Sequence, residues 1–399
     1  MVINGRKAIN VILFIVVLLN AVQEFLYSIT TAVAPLFYLT DALLILAFFF
    51  MVMTPKGNSI SKLQLKAWIL FLGYAMFTFV WSSRNYYDVV FRLRYFVQCV
   101  FVLYLTQRYL TDKGLKVIIN MLCGIQFINM LLSFYQNRIM GLFADYCNGL
   151  FGYIGLGSGS VGIFSVALSI LSIIYYLFGK WSPWRSIFII GISAAFCAFA
   201  EVKAYYIVLL VGVVLIFVFQ KRNKSSVSKD LITLFAVGLM FYLAYVILSI
   251  VFPDNLATLF SVDDYVRYDS RSAYAGRLNT IPFIFTNQFM GSIPASLVGS
   301  GIGTNAGKYI YELGKSFSDF GFIGLLFLIF AFLSPFITYV GRKKQTAEQF
   351  FVAILSVLMI IGIDIWNVPF VRSIGVIIFF LLGIINVEWI EKNNGKENG

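Results

Sequence analysis

Uninterrupted apolar runs recur from one end of this chain to the other, several of them of about 18 residues or more, enough to cross a hydrocarbon core as a helix. In lipid every backbone N–H and C=O must be bonded within its own segment, so such runs fold as helices and pack as a bundle. An outer-membrane barrel needs short alternating segments instead, and these runs are continuous. Composition agrees: 60% of the 399 residues are hydrophobic and 12% are charged, about half the roughly 25% charge of a soluble domain. The expected fold is all-α, a polytopic transmembrane bundle of about twelve spans with no substantial soluble domain. The spans fall at roughly 8–28, 33–53, 66–81, 92–107, 117–136, 153–178, 186–200, 204–220, 230–252, 319–341, 349–365 and 370–388.

Basic residues orient these spans. Arg6 and Lys7 precede the first span and place the N-terminus in the cytoplasm, and alternation then assigns Lys56, Lys62, Lys66, Arg108, Lys113, Lys116, Lys180, Arg185, residues 221–229, Arg342, Lys343, Lys344 and the C-terminal tail to the same side. The first segment starts basic and continues apolar like a signal peptide, but it runs long and shows no clear small-residue cleavage site, so a retained anchor is expected. One integrated domain follows: residues 1–252 with nine spans, a large extracytoplasmic loop with short helices at 253–318, and residues 319–399 with three spans and a cytoplasmic tail.

The net charge of +12 is spread over short loops rather than gathered in an aromatic-interleaved patch, which argues against nucleic acid. Cys99, Cys123, Cys147 and Cys197 are widely spaced and signal neither a zinc site nor a disulfide framework. Histidine is absent, which removes the commonest general base and any Ser-His-Asp triad. No cofactor and no metal are expected.

The expected inside carries 14 Lys and 5 Arg, the outside 3 Lys and 8 Arg. Topology asks only for positive charge, so the outward arginines Arg84, Arg92, Arg94, Arg138, Arg267, Arg271, Arg277 and Arg372 need another account. A guanidinium binds phosphate bidentately and keeps its charge when desolvated. Pairing with acids such as Asp88, Asp145, Asp269 and Asp364, or with lipid headgroups, is the plainer alternative.

Residues 266–277 concentrate the signal. A helix there sets Arg267 and Arg271 on one face, with Arg277 elsewhere and Gly276 allowing a bend; three arginines facing one site would hold a diphosphate. The chain continues through Pro282 and Pro294 to Gly299, Gly301, Gly303 and Thr304. That run lacks the spacing and the strand–helix context of a nucleotide loop, and reads as a sharp turn or a close backbone approach to a ligand. Glu201 and Lys203 form a charge pair between two spans, which marks either a functional site or a neutralising structural pair. Arg92, Arg94, Asp364 and Arg372 share that placement, together describing an outward cationic cavity. Asp41 is the one acid well inside a span. Tyr265, Tyr268 and Tyr274 stack on sugar rings or belong to an interfacial belt.

Ser270-Arg271, Gly276-Arg277, the run Gly299 to Thr304, and Gly321 with Gly324 at the head of the next span resemble the O-antigen and exopolysaccharide polymerase (Wzy) family, which is related in architecture to the O-antigen ligases. The resemblance covers the whole chain as architecture and about residues 200–325 in motifs. It implies a GT-C-like membrane glycosyltransferase of the bacterial plasma (inner) membrane that moves a glycan from its polyprenyl diphosphate carrier onto the terminal sugar of a lipid-linked repeat unit. Arg271 and Arg277 would then offset leaving-group charge in place of a metal, with Asp269 and Asp319 as catalytic carboxylates. Arg92, Arg94, Lys203, Arg267, Arg372, Gly301, Gly303 and Tyr274 would bind diphosphate and glycan. The attacking hydroxyl's base is open among Asp264, Asp269, Glu312 and Asp319. Expected partners are the lipid-linked oligosaccharide, membrane lipids, a chain-length regulator and a flippase. A ligase would carry a histidine in the late outer loop, and none is present. A transporter is the competing class, but no internal repeat is visible and the charges gather at the outer rim.

Overall fold

Apolar runs become helices throughout the residues described by the computed structural model: 5–54, 57–82, 85–152, 157–220, 280–304, 311–340, 342, 345–365, 373–387 and isolated positions between 238 and 249. Among them no strand occurs. In chain order the α-helices are α1 (Gly5–Ile29), α2 (Leu36–Met53), α3 (Lys62–Phe77), α4 (Tyr86–Tyr109), α5 (Asp112–Arg138), α6 (Ser158–Leu177), α7 (Pro183–Phe199), α8 (Ala204–Phe219), α9 (Thr280–Asn287), α10 (Ile293–Val298), α11 (Glu312–Tyr339), α12 (Ala347–Ile365) and α13 (Ile374–Gly383). Eight are long and apolar enough to cross a membrane, namely α1 to α6, α11 and α12, two of them lengthened by a short 3-10 turn. Helices α7, α8 and α13 are apolar but shorter. The expected count of about twelve is therefore not reached among the described residues, and the expected span at 230–252 lies outside them except for those isolated positions.

Of the boundaries that differ from the sequence reading, two bear on the site, and both move its charges inward. Helix α4 begins at Tyr86, capped by the Asn85 side chain on the Tyr87 N–H, with Asp88 in its first turn. The cap and the helix dipole explain the earlier start, and Arg92 consequently lies roughly 9 Å along the helix instead of at its rim. Helix α11 begins at Glu312, inside the segment expected to be loop, and breaks at Gly321, whose φ of 63° and ψ of −165° are not helical.

One end of the bundle is basic. There Arg6 donates to the Asn58 side chain and the Tyr109 carbonyl, Arg108 to the Asn58 carbonyl, and Asn386 to the Ser59 carbonyl. This Arg108 end is the one the charge rule reads as cytoplasmic. At the centre Trp68 of α3 meets Phe332 of α11 and Phe379 of α13 with ring centroids 4.9 and 4.7 Å apart. Helix α6 is enclosed on nearly all sides, and its Ser165 and Ser169 bond Gln126 of α5 and Tyr205 of α8. Such bonds join helices where no hydrophobic drive exists between them. Helix α2 is an edge helix in which only Thr40, Leu44 and Ala47 are buried.

Candidate functional site

The two glycine motifs are each other's partners. Segment 299–304 turns back into the opposite, Trp81 end of the bundle, where Ser300 and Gly301 donate their N–H groups to the Ser318 and Asp319 carbonyls at 2.9 Å. The Ile302 N–H reaches Thr78 Oγ1 at 3.2 Å, and Ser82 Oγ donates to the Ile302 carbonyl at 2.8 Å. At Gly301, with φ +91°, a Cβ would stand 2.6 Å from Ser82 Cα; at Gly321 it would stand 2.6 Å from the Leu297 carbonyl carbon. The absence of side chains therefore lets backbone lie on backbone. Gly303, with φ +79°, approaches the first turn of α4 in the same way. These glycines act on the protein's own chain, which is a different close approach from the ligand contact expected for Gly301 and Gly303. Gln288 ties the turn further, bonding Ser300 Oγ at 2.7 Å and Ser318 Oγ at 2.8 Å.

Behind that turn sits a buried ionic cluster. The first nine residues of α11 carry Glu312, Lys315, Ser316 and Asp319, spaced so that all four share one helix face. Glu312 is 0%, Lys315 8% and Asp319 1% exposed. Arg92 of α4, 7% exposed, meets the two carboxylates. Its NH1 donates to Glu312 Oε2 at 3.1 Å, its NH2 meets Oε1, and its Nε lies 3.5 Å from Asp319 Oδ2. Ser316 Oγ donates to Glu312 Oε1 at 2.9 Å. Phe96 lies under the guanidinium at 5.0 Å and forms an aromatic floor with Phe71 and Phe320. Arg92 is shared by the two carboxylates, and Lys315 lies on the same face of α11. A charge at membrane depth is costly unless paired, and here one guanidinium meets both carboxylates. The cluster clamps α4 to the head of α11, and its charges are committed to one another.

The other expected residues do not join it. Arg94 faces the other way, to Asp41 of α2 at 2.6 Å and the Phe37 carbonyl at 2.7 Å. Arg92 and Arg94 thus answer to different carboxylates and do not open onto one cavity, because two positions along a helix point in nearly opposite directions. Asp41 is held by Arg94 and by Gln98, which donates to it. Lys203 lies 3.7 Å from Glu201 in the turn between α7 and α8, where Glu201 adopts a left-handed φ of 52°. Asp145 shares that neighbourhood: crowding by protein pushes its carboxyl up, Glu201's charge acts in the same direction, and Lys203 opposes them. Arg267, Asp269, Arg271, Tyr274, Arg277 and Arg372 lie outside the described residues, as does Asp264. Among the described residues no group of three acids or cysteines is placed to hold a metal ion.

Lys315, Gln288, Thr78 and Ser82 belong to this assembly and were not singled out from the sequence. The spacing of Glu312, Lys315, Ser316 and Asp319 is a readable signal for the first; the others act through single hydrogen bonds that leave no periodic trace. No protein-family model matches the chain, and no curated protein matches it.

Proposed function

We propose that this chain is a membrane glycosyltransferase of the polysaccharide polymerase type, acting on lipid-linked repeat units at the outer face of a bacterial plasma membrane with both termini in the cytoplasm. The observation that carries the reading is the Arg92–Glu312–Asp319 cluster packed against the Gly299–Thr304 turn: the motif-bearing late segment is built into the bundle around buried charge, where membrane proteins keep functional sites. In this reading the clamp holds the platform from which the arginine-rich segment 266–277 works. Arg271 and Arg277 would offset the charge developing on the departing polyprenyl diphosphate. Glu312 and Asp319 are occupied by Arg92, so Asp319 serves as a positioning residue and the base falls to Asp269 or Asp264.

The test is polymer length. Arg271→Ala or Arg277→Ala should abolish long polymer in cells while single repeat units remain on the carrier. Unchanged length distributions in both variants would refute the assignment. One observation favours a second reading, transport: a helix broken at Gly321 beside buried charge is a device of secondary transporters. Purified protein in detergent separates the two, since a polymerase extends lipid-linked units without a sealed membrane and a transporter leaves them unchanged.

A further inference from the structure

Lys62 and Lys66 stand one turn apart on the exposed face of α3, at the Arg108 end of the bundle. The Ser61 N–H bonds the Gln107 side chain at 2.9 Å, which sets the start of α3 level with the end of α4. Beyond the lysines the same face continues with Ile69, Leu70 and Gly73. Ile69 is 56% and Leu70 49% exposed, and a Cβ at Gly73 would meet nothing within 4 Å. Trp68 and Phe71 hold the opposite face in the core. Two charges therefore head an open apolar strip, and they are uncompensated. Helix α3 contains no carboxylate, and among the described residues neither lysine makes a hydrogen bond or an ion pair. Other basic groups at this end are engaged: Arg6 and Arg108 at Asn58, Lys180 at Glu348 and Arg185 at Asn120.

We infer that this half of α3 is a docking surface for an anionic phospholipid, with the phosphate at Lys62 and Lys66 and an acyl chain along Ile69, Leu70 and Gly73. Charge and depth choose that occupant. Two unpaired ammonium groups one turn apart attract a headgroup of net negative charge, whereas a zwitterionic headgroup brings its own cation and is not favoured. Lys62 opens the apolar segment Lys62–Trp81, which is long enough to span a membrane, so both lysines lie at the level of the headgroups. A lysine there rests its stem on apolar surface and keeps its ammonium among polar groups. From Lys66 to Gly73 the strip descends roughly 10 Å along the helix, within the reach of one acyl chain. The inference is independent of the polymerase reading, because it concerns the far end of the bundle from Arg92 and is read without any turnover.

The experiment uses the full-length protein in nanodiscs of mixed phosphatidylcholine and phosphatidylglycerol, with a trace of one or the other lipid carrying a diazirine near the ester end of a chain; after photolysis, labelled positions are mapped by mass spectrometry. At residues 63–70 the ratio of phosphatidylglycerol to phosphatidylcholine labelling should exceed the median over all labelled positions by about fivefold, the gain expected from one lysine near an anionic surface, or more. Lys62→Gln combined with Lys66→Gln should bring the ratio to the median, and Lys62→Arg combined with Lys66→Arg should keep it. Lys113→Gln, which removes an exposed charge at the same end, should leave it unchanged; all variants are first checked for a monodisperse elution profile. A median ratio in the native protein, or no response to the double glutamine variant, overturns the proposal. Loss of the preference on adding inorganic phosphate at constant ionic strength would mean a soluble anion and overturns the lipid assignment. A preference that emerges only in a Glu388→Gln, Glu391→Gln variant would give the lysines to the chain's own tail, and overturns it as well.

Discussion

The guanidinium of Arg92 reaches across 220 positions of sequence to Glu312, donating to Oε2 at 3.1 Å, and Glu312 is wholly shielded from solvent. Removing one member of such a pair leaves an uncompensated buried charge, at a cost of roughly 3–5 kcal/mol. Arg92→Met should therefore lower the thermal midpoint in detergent markedly, since two carboxylates lose their partner. Glu312→Gln should cost less, because Asp319 still faces Arg92 and the amide still bonds. The order of the two midpoints is the check; equal values would mean that the cluster is solvated.

Glycines in the turn are predicted to differ sharply from one in an open loop. Gly301→Ala places a Cβ 2.6 Å from Ser82 Cα at a φ of +91°, so strain and collision together should cost several kcal/mol, on the order of 2–5. Gly141 also has positive φ, +64°, but nothing lies within 4 Å of its Cβ position. Gly141→Ala should cost only the left-handed backbone penalty, about 1–2 kcal/mol. Expression level and thermal midpoint of the two variants measure the difference.

At the Arg108 end, Lys180 Nζ lies 3.2 Å from both oxygens of Glu348, with Lys180 14% and Glu348 0% exposed at the side chain. The asymmetry in exposure predicts an asymmetry in mutants. Lys180→Met strands a buried carboxylate and should cost about 3 kcal/mol or more. Glu348→Gln frees a lysine that can extend to water, and should cost about 1 kcal/mol. Thermal unfolding of the two proteins at pH 7 decides it.

What the sequence could disclose follows from what each signal records. Continuous hydrophobicity records residence in lipid, so helices α1 to α8, α11 and α12 were legible to within a few residues at most ends. Helix starts set by a polar cap were less so: Asn85 and Asp88 add turns to α4 that hydropathy counts as loop. The inward return of 280–304 had a trace in its lack of any charged residue, which is unusual for a water-exposed loop. Arg92 was legible as an anomaly but its partner was not, because periodicity tells which face a residue occupies and not which distant helix meets it. The separation of Arg92 from Arg94 was legible, since two positions along one helix face nearly opposite ways, but their partners on different helices were not.

The sharpest functional prediction concerns guanidinium geometry. If Arg271 grips a diphosphate through two parallel N–H···O bonds, Arg271→Lys keeps the charge but loses the fork. A hydrogen bond to a charged group is worth about 1.5–3 kcal/mol, so extension should slow roughly ten- to hundredfold. On a gel of cell-surface glycan this would appear as collapse of the long ladder toward single repeats, close to the Arg271→Ala pattern. A lysine variant with a normal ladder beside a defective alanine variant would mean that only net charge matters there. Arg185→Lys is the control, because Arg185 lies on the side the charge rule reads as cytoplasmic, bonds Asn120 there and has no part in the proposed transfer; its ladder should stay normal.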